Sequence, residues 1–178
     1  MPPGTVLSAN AVAVAADVER SWAYRAIKAG VLSEPCFPAD VIVLKVYRVL
    51  SQFVWPDKPR QRSVKHDLDT WQLTALNATR NAVTDDRTTP ETTLYVLQSA
   101  TYVEHTRTDR AQLESSAPDG AQASPLDAQT VLRLPIGRWI DGLEAVVART
   151  PRSAPRRVAV KPQGRKTPRR RDDSPGQK

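Results

Sequence analysis

Apolar residues recur at helical spacing along much of this chain, so most of the elements that the pattern predicts are helices. The predicted helices span residues 9–15, 19–29, 38–53, 67–83 and 136–148. Ser8 precedes the first helix, where its hydroxyl group can accept a hydrogen bond from an unpaired backbone N–H. Gly30 follows the second, at the position where helices commonly end in a left-handed residue. The chain therefore begins with two short helices close together.

The pattern of residues 41–50 has two interpretations. The segment is rich in β-branched residues, which favours a strand. Pro38 and Asp40 precede it, and both residue types are typical of the first turn of a helix. The apolar positions also recur every three or four residues. We therefore predict a helix over residues 38–53.

Two later segments have the composition of strands. Residues 92–103 are rich in Thr, Tyr, Val and Leu with partial alternation, and residues 130–134 are similar. The polar residues 104–129 lie between them and are predicted to be a helical turn with a linker, or a mobile loop. The predicted fold class is therefore α+β and mainly helical, with a small two-stranded sheet.

Residues 8–32 have the residue types that a helix-turn-helix requires. Ala13 is small enough to let a second helix approach the first closely. Asp17 occupies the turn, and Asp adopts left-handed conformations more readily than most other non-glycine residues. Val18 follows as the apolar residue that seats the turn. The segment resembles the helix-turn-helix of the excisionase and MerR-like DNA-binding families, in which glycine is usual at the position of Asp17.

The second predicted helix has two different faces. Ala23, Ala26 and Ile27 lie on the side expected to pack against the first helix. The opposite side carries three cations and two hydroxyl groups: Arg20, Ser21, Tyr24, Arg25 and Lys28. Trp22 either packs against the third helix or lies on the sugar-phosphate backbone.

The exposed face of this helix suits the major groove of duplex DNA. Arg20, Ser21 and Tyr24 lie in or near its N-terminal half, which is the part that usually reaches base edges. Arg25 and Lys28 are better placed to contact phosphates.

Two structural alternatives remain for these features. Charges at helical spacing also occur on an ordinary helical hairpin with a solvated basic face.

The predicted strands 92–103 and 130–134 are either a wing beside the DNA-binding helices or a small sheet that covers the core.

Basic charge is concentrated at the C-terminus. The net charge is +7, but residues 149–178 contain 11 basic and 2 acidic residues, so the preceding part carries −2. Five prolines and few large apolar residues predict that this tail is disordered. Its basic run resembles an AT-hook without the contiguous Gly-Arg-Pro core, and non-specific phosphate contact is the safer interpretation. The cations expected to make that contact are Arg165, Lys166, Arg169, Arg170 and Arg171.

Several chemistries find no support in the sequence. Cys36 is the single cysteine, so a disulfide framework and a cysteine-rich zinc site are excluded. It is expected to be a buried structural thiol. His66 and His105 are far apart and lack metal-ligand spacing. No nucleophile motif, phosphate-binding glycine loop or membrane-spanning run occurs. We therefore expect no enzymatic activity, no cofactor, no metal and no membrane association.

The predicted organisation has three parts: a helix-turn-helix unit in residues 1–34, a helical and small-sheet region in 35–148, and a disordered tail in 149–178. The predicted function is sequence-specific binding of double-stranded DNA by a homodimer, as a bacterial, plasmid or phage transcriptional regulator. An excisionase-like recombination or plasmid factor, and a protein-interaction scaffold with a solubilising tail, are the alternatives. The predicted location is the cytoplasm, with the nucleoid, and the sequence leaves open whether a small-molecule effector is bound.

Overall fold

A computed structural model describes residues 5–56, 68–106 and 130–150 of the chain. These residues form helices and a small antiparallel sheet, which confirms the α+β fold class. The helices are α1 (Ala9–Ala15), α2 (Arg20–Lys28), α3 (Ala39–Gln52), α4 (Thr70–Thr84), α5 (Ile136–Asp141) and α6 (Leu143–Arg149). The strands are β1 (Thr93–Val96), β2 (Thr101–Glu104) and β3 (Leu132–Leu134).

Local side-chain and backbone chemistry sets the ends of α1 and α2. The Ser8 hydroxyl accepts a hydrogen bond from the Ala11 N–H at 3.2 Å, as predicted for the start of α1. Asp17 has a φ of 55° and Gly30 a φ of 70°, so both are left-handed. The predicted turn at Asp17 and the predicted helix end at Gly30 are therefore confirmed.

The left-handed Asp17 leads to a stability prediction. Asp17→Ala is expected to lower the free energy of unfolding by about 1 kcal/mol, because a Cβ without a local polar group is disfavoured at positive φ. Asp17→Gly is expected to be more stable than Asp17→Ala by a similar amount. Urea denaturation of both variants and the unchanged chain tests this. Equal stability of the two variants would contradict a left-handed residue at this position.

Helix α3 lies at the centre of the fold and packs against α1, α2, α4 and α5. Its buried residues surround most of the helix: Val41, Ile42, Val43, Leu44, Val46, Tyr47 and Leu50. A helix that is buried on several sides has apolar residues around most of its circumference. This position explains why a helix contains the β-branched run that also favoured a strand.

Two side chains of α4 form hydrogen bonds with earlier parts of the chain. The Gln72 side chain accepts from the Asp69 N–H at 2.9 Å and donates to the Leu50 carbonyl oxygen at 3.1 Å. The Arg80 guanidinium donates to the carbonyl oxygen of Val31, which follows α2. Helix α4 is thereby fixed both to the end of α3 and to the segment after α2.

The sheet differs from the prediction in its number of strands. Residues 92–103 were predicted as a single strand, but they contain β1 and most of β2, which pair antiparallel with Tyr95 opposite Tyr102. The Leu97 N–H donates to the Ala100 carbonyl oxygen at 2.9 Å and closes the turn between them. With β3 on the other side of β1, the sheet has three strands in the order β2-β1-β3 and not two.

The sheet covers the core. Leu94, Val96 and Leu134 belong to one continuous apolar cluster that extends from Leu7 to Val147. The strands pack against α4 and α5, whereas α2 packs against α1 and α3. The second interpretation of the strands, a sheet over the core, therefore matches the structure.

Other predictions on domain organisation concern parts that the structure does not describe. The predicted disordered tail, apart from residues 149 and 150, and most of the predicted linker 104–129 lie outside the described residues. The division into three parts remains a prediction. None of the helices in the described part of the chain is long and apolar enough to cross a membrane.

Candidate functional site

The five α2 residues predicted to bind DNA all have exposed side chains. The other side of α2 is buried, since Ala23 and Ala26 are completely inaccessible to solvent. Ala13 of α1 is 1% exposed, and the three alanines allow α1 and α2 to pack closely. The Val18 N–H donates to the Ala13 carbonyl oxygen at 3.0 Å, which closes the turn between the two helices. The exposed face of α2 is therefore held in a fixed orientation.

Arg20 and Tyr24 form a pair at the N-terminal end of α2. The Arg20 Nη2 donates to the Tyr24 hydroxyl at 2.8 Å. The guanidinium carbon also lies 5.2 Å from the centre of the tyrosine ring, within the range of a cation–π interaction. Beside this pair, the Ser21 hydroxyl donates to Glu19 at 3.4 Å. Arg20 is thus held close to the helix surface.

Arg25 rests on an aromatic pair that connects α2 to α3. Its guanidinium carbon lies 5.2 Å from the centre of the Trp22 ring. Trp22 in turn meets Tyr47 in an edge-on arrangement, with ring centres 6.1 Å apart. Of the two predicted positions for Trp22, packing against the third helix is therefore the one observed. Lys28, one turn further on, is exposed.

Arg48 of α3 adds a cation that the sequence did not indicate. Its Nη1 donates to the Asp17 carbonyl oxygen at 3.4 Å, so it reaches the turn between α1 and α2. The two residues are 31 positions apart in the chain. Only the packing of α3 brings them together, and no local sequence signal predicts that contact.

The exposed face of α2 has the charge and size to interact with a polyanion. Arg20, Arg25 and Lys28 contribute three positive charges, and Asp17 and Glu19 contribute two negative charges at the preceding turn. An α-helix with its side chains is about 10–12 Å wide, which matches the width of about 12 Å of the major groove of B-form DNA.

The remaining predicted site residues lie outside the described residues. These are the tail cations Arg165, Lys166, Arg169, Arg170 and Arg171.

A second polar cluster lies where β2 ends. His105 is buried, and its Nε2 lies 3.5 Å from a carboxylate oxygen of Asp85, which Arg87 contacts with two guanidinium nitrogens. Hydrogen bonds from Arg87 hold the pKa of the Asp85 carboxyl well below its usual range. The His105 Nδ1 is 3.5 Å from the Thr92 hydroxyl. The cluster joins the ends of β1 and β2 to the loop after α4. Its inner members His105 and Thr92 are buried, whereas Arg87 lies at the surface, and this arrangement is that of a structural network.

The single cysteine is buried, as predicted. Cys36 is completely inaccessible, and its backbone pairs with Leu7 in an isolated β-bridge. Burial raises the pKa of the Cys36 thiol to about 11. The thiol is therefore protonated at neutral pH.

Comparison of the chain with known protein families, curated proteins and solved structures finds no match. Any functional assignment therefore rests on the geometry and chemistry of the chain itself.

Proposed function

We propose that this protein binds double-stranded DNA through the exposed face of α2. The observation that carries the proposal is the arrangement of α1 and α2. Their alanine-rich contact and the left-handed Asp17 fix a helix whose outer face presents Arg20, Arg25 and Lys28. A short, rigidly held basic helix of this kind fits the recognition helix of an excisionase or MerR-like helix-turn-helix.

In this proposal α2 enters the major groove. Arg20, Ser21 and Tyr24 approach base edges, whereas Arg25 and Lys28 bind phosphates and fix the register of the protein on the duplex. Arg48 supports the arrangement from α3, because it holds the carbonyl oxygen of the turn that sets the direction of α2.

A homodimer completes the proposal. One copy of α2 covers only a few base pairs, and readers of this type commonly pair to bind two half-sites separated by one helical turn of DNA. Transcriptional regulation and excisionase-like control of recombination both use such binding. In either role the protein acts at the nucleoid.

The basic tail is proposed to add affinity that does not depend on base sequence. Residues 151–178 contain 10 basic and 2 acidic residues. Arginine and lysine on phosphates release condensed counterions, and this gain weakens as salt rises.

Removing residues 151–178 therefore tests the two contributions separately. Thr150 is the natural end point because it is buried and its hydroxyl donates to the Val146 carbonyl oxygen at 2.8 Å. The full and shortened chains are titrated with a duplex taken from the DNA upstream of the gene that encodes this protein, and with an unrelated duplex of equal length. If five tail cations each contact one phosphate, the slope of log affinity against log salt becomes shallower by about four to five without the tail.

The shortened chain is expected to keep its preference for its own upstream duplex. If removal of the tail abolished all DNA binding, α2 would not be the element that recognises the DNA sequence. The protein would then be a non-specific polyanion binder, and residues 8–32 an ordinary helical hairpin.

A further inference from the structure

We propose that Arg20 recognises a guanine base and that Tyr24 is the positioning residue that holds it for this contact. The inference rests on the proposed DNA binding and specifies its ligand: a half-site that contains a G·C pair at the N-terminal end of α2. It is carried by the geometry of the Arg20–Tyr24 pair.

The contact with Tyr24 restricts the conformation of the Arg20 side chain but uses only one of its N–H donors. The Tyr24 hydroxyl accepts one N–H from Nη2 at 2.8 Å, and the ring lies 5.2 Å from the guanidinium carbon. A guanidinium group has five N–H donors, so use of any one leaves at least one adjacent parallel pair free. Within the described part of the chain, no carboxylate forms an ion pair with Arg20.

The free donor pair matches guanine better than the other bases. Guanine presents two neighbouring acceptors, O6 and N7, in the major groove, whereas adenine presents one acceptor beside a donor. A planar guanidinium group can donate to O6 and N7 together. Prior restriction by Tyr24 reduces the side-chain entropy that such a contact costs.

The position of Arg20 on the helix supports base contact over phosphate contact. Arg20 is the first residue of α2, and N-terminal residues of a recognition helix are those that reach base edges. Arg25 differs, because it rests on Trp22, which packs against Tyr47 of α3. That contact holds Arg25 beside Trp22, where it remains exposed but is tied to a residue that packs against α3.

The test begins with selection of duplexes from a random pool by the full chain. The enriched site is expected to contain one dominant guanine. Replacement of that base by 7-deazaguanine keeps Watson–Crick pairing and removes the N7 acceptor. This replacement is expected to lower the affinity of the unchanged protein about tenfold.

Three variants assign the contact to its residues. Arg20→Ala removes every donor at this position, including the ammonium that a lysine would still offer to O6 and N7, so it is expected to lose the response to 7-deazaguanine. Tyr24→Phe keeps the ring and removes the hydroxyl, and is expected to reduce that response about threefold. The combined variant is expected to show no loss beyond Arg20→Ala, because both substitutions act on one contact. Arg138→Ala, on an exposed arginine of α5, is the matched control and should respond as the unchanged protein does.

The outcomes separate this inference from the proposed function. If no sequence is enriched, both the proposed function and this inference are wrong. If a site is enriched but Arg20→Ala retains the full response to 7-deazaguanine, another residue contacts the guanine and only this inference is overturned. An enriched site without guanine overturns it equally. Unchanged discrimination in Tyr24→Phe, at unchanged thermal stability, would remove the positioning role of Tyr24.

Discussion

The double variant Arg20→Ala/Arg25→Ala is expected to lose specific DNA binding, with affinity for the preferred duplex lowered about 100-fold. Loss of one bidentate base contact costs about 1–3 kcal/mol, and loss of a phosphate contact adds to it. Both side chains are exposed, so the fold and the thermal stability should change little. Fluorescence anisotropy with a labelled duplex measures the affinity.

A matched variant distinguishes loss of the α2 face from a general loss of positive charge. Arg133→Ala/Arg138→Ala also removes two exposed positive charges, but from β3 and α5. It should retain the preference for the selected duplex over an unrelated one. Equal losses in the two double variants would show that net charge, and not the face of α2, determines binding.

The largest expected effect on stability is that of Gly137→Ala. An added Cβ would lie well inside the contact distance of the Thr89 carbonyl oxygen and only 2.7 Å from the Thr92 nitrogen. Both atoms belong to backbone that cannot rotate away, and the Gly137 N–H donates to the Thr92 carbonyl oxygen at 2.9 Å. Helix α5 must therefore move away from the start of β1. We expect the free energy of unfolding to fall by about 3 kcal/mol, measured by urea denaturation.

Gly142→Ala is the control for this prediction. Gly142 has a φ of −77°, and its added Cβ would meet no atom closer than the Arg138 carbonyl oxygen at 3.6 Å. The substitution is expected to leave the stability unchanged or to raise it by up to about 1 kcal/mol, because alanine restricts the unfolded chain. Equal destabilisation by the two substitutions would contradict the close approach of α5 to the segment before β1.

The elements that the sequence predicted correctly have strong local signals. Ser8, Asp17 and Gly30 each act on the backbone within a few residues, so their effects are visible in the sequence. The exposed and buried faces of α2 follow from the period of the helix. The five candidate residues of α2 could therefore be placed on its exposed face without a structure.

The sheet was predicted less well because serine is the only residue typical of turns in the segment that joins β1 to β2. Residues 97–100 are Leu-Gln-Ser-Ala, with no glycine, proline or asparagine to mark a reversal. The sequence pattern therefore predicted one strand over residues 92–103. The pairing of β1 with β3 depends on contacts between residues that are far apart in sequence, and these leave no periodic signal.

The surroundings of the candidate site also depend on tertiary packing. Trp22 has a helical position compatible with either the core or a ligand, and only the location of Tyr47 on α3 decides between them. The contact of Arg48 with the Asp17 carbonyl oxygen depends on the same packing. The residues of the proposed interface and the alanine contact with α1 could be predicted from the sequence, whereas the α3 residues that support α2 could not.

The most direct test of DNA binding by α2 is a ¹H–¹⁵N NMR titration of the full chain with the duplex that it selects. Amide signals of Arg20–Lys28 are expected to show the largest shifts among the described residues, and those of β1 and β2 the smallest. Shifts confined to the sheet, or to residues beyond Thr150, with α2 unchanged would contradict the account.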